Sequence, residues 1–429
     1  MRKRAAAIVF TGALAATATA MAGVAVAADP LVGNLVDFTG RTAQVSTPYS
    51  QAKIDAAKWI NAHGGINGTP LNMQTFDYAY EVPRAIATYE KWKKEGAVAL
   101  QGWGTADTEA LVSFVAEDKV PYFSASYSAH LTDPTGKGPE TTKPTPYNFI
   151  MGPSYSDAIR ALLQWAKSDW QARGGSGAPK YVHMGDNHPY PNAPKKAGEE
   201  YAKELGFDVL PAIQYSLAPG DFRAQCLNLR QSGANYAFLA NSSDSNVSLL
   251  KSCASVGAQP QFMANIWGFD ESLMKAAGKA ANGVVWPMGA QPWTADVPGM
   301  KLVHDIAHAA DPRIAYEPVH YIRGICSMFY MKEAMEWADK NGGITGVNIK
   351  TGMYQKKDWV PVGLEGVCPK ATWTAEDHRG FTEVLIYQAR VPADPPAGAE
   401  IAQLVADGAI GMSQVYEVDI PRRPEWLGW

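Results

Sequence analysis

Cysteine is scarce in this 429-residue chain, which holds only four. Cys226, Cys253, Cys326 and Cys368 form no C-x-x-C pair, which excludes the common zinc and dithiol redox motifs. Excess positive charge is also lacking: Lys and Arg number 38 against 42 Asp and Glu, a net charge of −4. Binding to nucleic acid or an anionic membrane surface through bulk charge is therefore excluded. No apolar run beyond residue 27 is long enough to cross a bilayer. The signatures G-x-S-x-G, H-E-x-x-H and G-x-x-x-x-G-K-[ST] are missing, so nothing marks a hydrolase elbow, a zincin or a P-loop. Histidine adds little. His183 and His188 flank a glycine, and His304 and His308 share a helical face beside Asp305. Without a further ligand set, that pair reads better as a solvated face than as a metal site. No catalytic residue, metal or cofactor is expected.

What is present starts at the first residues. Arg2, Lys3 and Arg4 precede an apolar, Ala-rich run over residues 5–27. Ala25 and Ala27 occupy the small-residue positions of an A-x-A site, and Ala28-Asp29-Pro30 breaks the run. This pattern reads as a secretory signal over residues 1–27, with an uncleaved membrane anchor as the alternative. No cysteine precedes Cys226, so no thiol could carry a lipid at the new terminus. The mature chain is expected to be soluble in the periplasm. Disulfides persist in that oxidising compartment. Cys226 and Cys253 are the favoured pair, because both lie on predicted helices flanking one short strand. Such a bridge stabilises by about 3–4 kcal/mol. Cys326 and Cys368 form a second bridge or remain buried thiols.

Short apolar runs alternate with amphipathic stretches along the chain. Strands are predicted at residues 31–38, 71–77, 98–101 and 120–124, and helices at 48–63, 82–95 and 105–118. In the 48–63 stretch Ala52, Ala56, Trp59 and Ile60 share one face, and the glycines at 64 and 65 stop it. The alternation returns with helices at 156–171, 195–205, 222–232 and 243–256. Strands at 180–184, 208–215, 236–240 and 261–264 fall between them. Beyond residue 286 the pattern turns helical, at 300–309 and 319–340, and residues 389–399 read as a Pro/Ala-rich connection. Two such series imply an α/β chain of two lobes, each a doubly wound parallel sheet.

Ligands of open parallel sheets bind beyond the carboxyl ends of the strands. That rule selects the strand-to-helix loops as the candidate site. They carry Trp103, Thr105 and Asp107; Ser126, Tyr127 and Ser128; Tyr190; Asn241 and Ser242; and Trp267. Small hydroxyls, amides and large aromatics together suit a small polar ligand between aromatic walls.

Residues 57–71, reading AKWINAHGGINGTPL, resemble the most recognisable stretch of the branched-chain amino-acid-binding family, the type I periplasmic binding proteins. The likeness continues through Asp77, Gly96 to Gly102, Val120 to Ser124, and Asp377 to Gly380 with residues 384–390. The resemblance implies two lobes joined by three crossovers and closing on a ligand by a hinge. Residues 28–152 with 288–360 would form the first lobe, and 153–287 with 361–429 the second. It also implies the extracytoplasmic component of an ABC importer, partnered by membrane permease subunits. Such a protein binds Leu, Ile, Val or a related small carboxylate or amide as a monomer, and does no chemistry. A protein of this fold that binds aromatic acids, or presents its ligand to a sensor, is the alternative.

By position, Thr105, Ser126 and Ser128 match first-lobe contacts to the ligand's polar end. Tyr190 matches a second-lobe aromatic that closes over it, and Asn241 to Ser243 lie where the family uses another second-lobe loop. One departure matters. Amino-acid binders place an acid after the strand at 261–264, where this chain reads Asn265-Ile266-Trp267-Gly268-Phe269. The ammonium clamp is displaced to Asp270 or Glu271 or is absent. Residues 403–429 have no counterpart in the resemblance.

Physical chemistry gives each candidate a plainer alternative. Thr105 opens a helix whose first N–H groups would favour a carboxylate, but it could simply cap that helix, worth about 1 kcal/mol. Asp107 in the same turn would repel an anion or hold a cation, or merely favour the helix dipole. The aromatics are as much at home in a core as in a site. Export is the most accessible of these expectations: N-terminal sequencing of the secreted chain returns a start at or near Ala28. A full-length chain in the membrane fraction, beginning at Met1 or Arg2, would contradict it.

Overall fold

The computed structural model describes residue 1 and residues 29–429. Apart from Met1, the predicted signal lies outside the described residues. The strands are β1 (Leu31–Val36), β2 (Asn72–Asp77), β3 (Ala99–Gln101), β4 (Tyr122–Ser124), β5 (Asn148–Ile150), β6 (Lys180–Gly185), β7 (Asp208–Val209), β8 (Ile213–Gln214), β9 (Tyr236–Leu239), β10 (Gln261–Ala264), β11 (Val285–Met288), β12 (Glu383–Arg390) and β13 (Gly411–Asp419). The helices are α1 (Ala43–Ala62), α2 (Val82–Lys94), α3 (Thr105–Asp118), α4 (Tyr155–Ala172), α5 (Pro189–Asn192), α6 (Lys195–Glu204), α7 (Arg223–Ser232), α8 (Ser243–Val256), α9 (Glu271–Ala277), α10 (Met300–Ala310), α11 (Val319–Lys340), α12 (Gly346–Met353) and α13 (Ile401–Ala406).

The strands build two sheets, as the alternation requires. The first runs β2-β1-β3-β4-β5 and is parallel throughout. The second runs β13-β12-β11-β10-β9-β6-β7, with β8 also on β6. All six residues of β1 and all four of β9 are buried, the signature of strands covered by helices on both faces.

Several elements differ from the sequence reading, each for a local reason. The strand expected over residues 208–215 is two short pieces, because Pro211 between them cannot donate to the ladder. Helix α1 begins at Ala43, before Pro48. Its start is fixed by Asp37, whose carboxylate accepts from the N–H groups of Gly40 and Thr42 and from the Thr42 hydroxyl. The second sheet is mixed: β12 pairs antiparallel with both β11 and β13. That ladder absorbs much of the unexplained C-terminal segment. The chain then packs Trp426 against Tyr201 and under the Arg160 guanidinium, 4.1 Å from the ring centroid. Gly428 N–H finally donates to Thr132 Oγ1 beside the first sheet.

Helix α11 is the long interior element. It lies along α1 so closely that a Cβ at Gly324 would come within 2.4 Å of the Tyr49 carbonyl oxygen. Disulfides join Cys226 to Cys253 across α7 and α8, and Cys326 of α11 to Cys368. No described helix is long and apolar enough to cross a membrane. Among the described residues no cluster could hold a metal ion. His304 and His308 each face a backbone carbonyl, of Trp293 and Ile314.

Candidate functional site

The carboxyl ends of both sheets converge on one small cavity. Thr42, Val45, Tyr80, Trp103, Gly104, Thr105 and Ala125 line it from loops and helices of the first sheet. Tyr155, Tyr190, Ser242 and Trp267 line it from the second. Of the sequence candidates, Trp103, Thr105, Tyr190, Ser242 and Trp267 stand on the wall.

The others stand behind it. Ser126 Oγ donates to Thr105 Oγ1 at 2.9 Å, and Ser128 Oγ donates to Glu109 at 2.8 Å. The Tyr127 hydroxyl donates to the Met151 carbonyl, and its ring packs 5.4 Å from Trp267. Asn241 is saturated: its Oδ1 accepts from Asp186 N–H, and its Nδ2 donates to Tyr215 O, Ser216 O and Ser245 Oγ. Asp107 is fully buried and accepts from the hydroxyls of Tyr78 and Tyr122. Burial pushes its carboxyl up to about 7. Burial pushes nearby Lys53 down to about 7, with Nζ donating to Gly102 O.

Four wall residues escaped the sequence reading: Thr42, Val45, Tyr80 and Tyr155, whereas Gly104 and Ala125 lie in two of the candidate loops. The strand-end rule covers the loops after β1 and β2 as well, and applying it there would have found Thr42 and Tyr80. Ala79 and Tyr80 both adopt left-handed backbone, at φ 52° and 60°, a strained turn that sets Tyr80 on the wall. Gly104 is required because a Cβ there would lie 2.2 Å from the Tyr80 ring. Trp103 is held by Nε1 donating to Thr42 Oγ1 at 2.8 Å, and Thr42 donates onward to Asp37.

Trp267 closes the box from the second sheet. Its ring meets Trp103 edge-on at 4.8 Å and Tyr49 at 5.2 Å, and its Nε1 donates to the Ala125 carbonyl. The Arg323 guanidinium of α11 lies on its outer face, 3.5 Å from the centroid. Arg323 Nη1 donates to the Ile266 carbonyl, while Nε and Nη2 have no partner among the described residues. The acids just beyond are engaged elsewhere. Asp270 caps α9 through Leu273 N–H and faces His320 at 3.6 Å. Burial, then the Glu271 charge, pushes Asp270 up to about 7. Glu271 accepts from Val319 N–H at the start of α11 and from the Tyr316 hydroxyl.

A family model described as periplasmic binding protein matches residues 31–396. A substrate-binding protein of an ABC transporter from Aeropyrum pernix is similar at 24% identity and a TM-score of 0.74, over 87% of this chain and 98% of its own. A branched-chain amino acid ABC transporter protein from Thermus thermophilus, solved with bound valine, is similar at 20% identity and a TM-score of 0.76, over 89% and 99%. A fatty acid ABC transporter substrate-binding protein from Thermomonospora curvata is similar at 17% and 0.73, over 87% and 94%. No curated protein matches this chain.

The Arg323 site makes a stability prediction. A buried guanidinium with unpaired N–H groups is costly, whereas its stem and planar face pack on Trp267. Arg323→Met keeps that packing without the charge and holds stability within about 1 kcal/mol of the parent or raises it. Arg323→Ala leaves a cavity and costs about 2–4 kcal/mol. Denaturant melts measure both, and a larger loss for Met than for Ala would contradict this account.

Proposed function

The chain belongs to the periplasmic binding protein family, and we propose that it serves an ABC importer as the receptor that closes two lobes over a small molecule. Members of this family bind substrates for ABC transporters and hand them to the permease. The reading rests on one observation above all: both sheets contribute side chains to a single cavity wall. In this reading the first lobe is 28–152 with 288–360, because α10 and α11 pack on α1. The second is 153–287 with 361–429, because β12 and β13 extend the second sheet. The secretory signal delivers the chain to the periplasm, where it works as a monomer and releases its ligand unchanged.

Trp103 and Thr105 hold the ligand from the first lobe. Tyr190, Ser242 and Trp267 close over it from the second. Ser126, Ser128, Tyr127, Asp107 and Asn241 hold those wall residues in place. The free space inside the wall, about 20 Å3, is far below the ~300–1,000 Å3 of ordinary ligand pockets, so in this reading the lobes part to admit the ligand.

A thermal-shift screen of the purified chain against amino acids, aromatic acids and amides tests the receptor reading. A ligand that binds only the folded chain raises its melting temperature by mass action. One class is expected to do so, and Tyr190→Ala to weaken that binding by about 1–3 kcal/mol, mainly through a faster off-rate. If no class moves the melting temperature, the receptor reading fails.

A further inference from the structure

We infer that the cleft selects a compact monoanion that carries no ammonium group, its carboxylate held between two helix N-termini. The inference rests on the receptor reading above and names its substrate class.

The charge on the wall comes first. All eleven residues lining the cavity are uncharged. The acids that could clamp an ammonium are committed elsewhere. Asp107 accepts from two tyrosines, Asp270 caps α9, Glu271 caps α11 and Glu109 accepts from Ser128. Asp244, in the first turn of α8, is exposed.

The helix ends come second. The N-terminus of α3 reaches the wall at Gly104 and Thr105, and that of α8 reaches it at Ser242. Each helix is 14 residues long, and neither N-cap residue makes a side-chain capping bond. Each end carries roughly half a positive charge, offset in part by an acid in its first turn, Asp107 in α3 and Asp244 in α8, and the N–H groups that two such ends present from opposite sheets favour an anion over a cation. Two hydroxyls on the same wall reinforce this. Ser242 Oγ and the Tyr190 hydroxyl are 3% and 4% exposed as residues and have no partner among the described residues. The Tyr80 hydroxyl stands beside the Thr105 N–H. A carboxylate oxygen would accept from such donors, and buried donors without partners are costly.

The remaining wall is Val45, Ala125, Tyr155, Trp103 and Trp267, which suits an apolar or aromatic body. An ammonium there would be desolvated without a partner between two positive helix ends. A zwitterion would therefore lose at one end what it gains at the other.

Calorimetric titration of the mature chain with shape-matched probes tests this. The probes are 4-methylpentanoate, leucine and 4-methylpentanamide, with benzoate and benzamide as an aromatic pair. At least one carboxylate is expected to bind tenfold or more tightly than its amide, and 4-methylpentanoate tenfold or more tightly than leucine. Ser242→Ala should weaken carboxylate binding about tenfold at an unchanged melting temperature. Leucine binding as tightly as 4-methylpentanoate overturns the substrate class and leaves the receptor reading standing. Silence from all five probes also overturns the class, and the wider thermal-shift screen then decides whether the receptor reading survives.

Discussion

Trp267 leaves the end of β10 and inserts among Tyr49, Trp103 and Tyr127 of the other sheet, with Arg323 across its outer face. Aromatic pairs of this kind contribute about 0.5–1.5 kcal/mol each beyond their burial. The indole N–H adds a hydrogen bond to Ala125 across the cleft. The same loop sends Glu271 to the N-terminus of α11 and offers the Ile266 carbonyl to Arg323. One short segment thus ties the second sheet to the first at three points. The cavity is what lies inside that tie.

The cost is paid in buried charge. Arg323, Asp270, Glu271, His320, Lys53 and Asp107 all lie within the packed interior around the cleft, and burial opposes ionisation of each carboxyl among them. Their interactions turn on one another and on backbone groups, which leaves the cavity wall uncharged. Under the receptor reading proposed above, recognition then falls to helix ends, hydroxyls and rings. These act over a few ångströms and only when both sheets are in place, which in that reading would couple ligand grip to closure.

Much of the fold was legible in the sequence, because parallel sheets impose buried runs and regular helix faces. Helices α3, α8 and α11 span the residues expected for them. The antiparallel edge was not legible, since β12 and β13 meet only through tertiary pairing. Of the candidate site, the loops after β3, β6, β9 and β10 were legible because strand ends are where ligands gather. What was not legible was direction. Ser126, Ser128 and Asn241 are polar loop residues whose side chains build the loop itself, as such residues often do. Tyr80 was missed because the strand-end rule was not carried to the loop after β2, and the buried role of Asp107 was not legible because its partners Tyr78 and Tyr122 come from distant strands. The acids missing near Trp267 were legible as a departure; that Asp270 and Glu271 serve as helix caps was not.

Under the receptor reading, the Trp267 insertion holds the lobes closed. Spin labels at the exposed positions Glu117 and Lys203, one beside each sheet, would report the separation of the lobes by pulsed dipolar spectroscopy. At a saturating concentration of a ligand found by the thermal-shift screen, the parent should give one short, narrow distance distribution. Trp267→Ala under the same conditions should give a longer and broader one. Identical distributions for the two proteins would contradict the account.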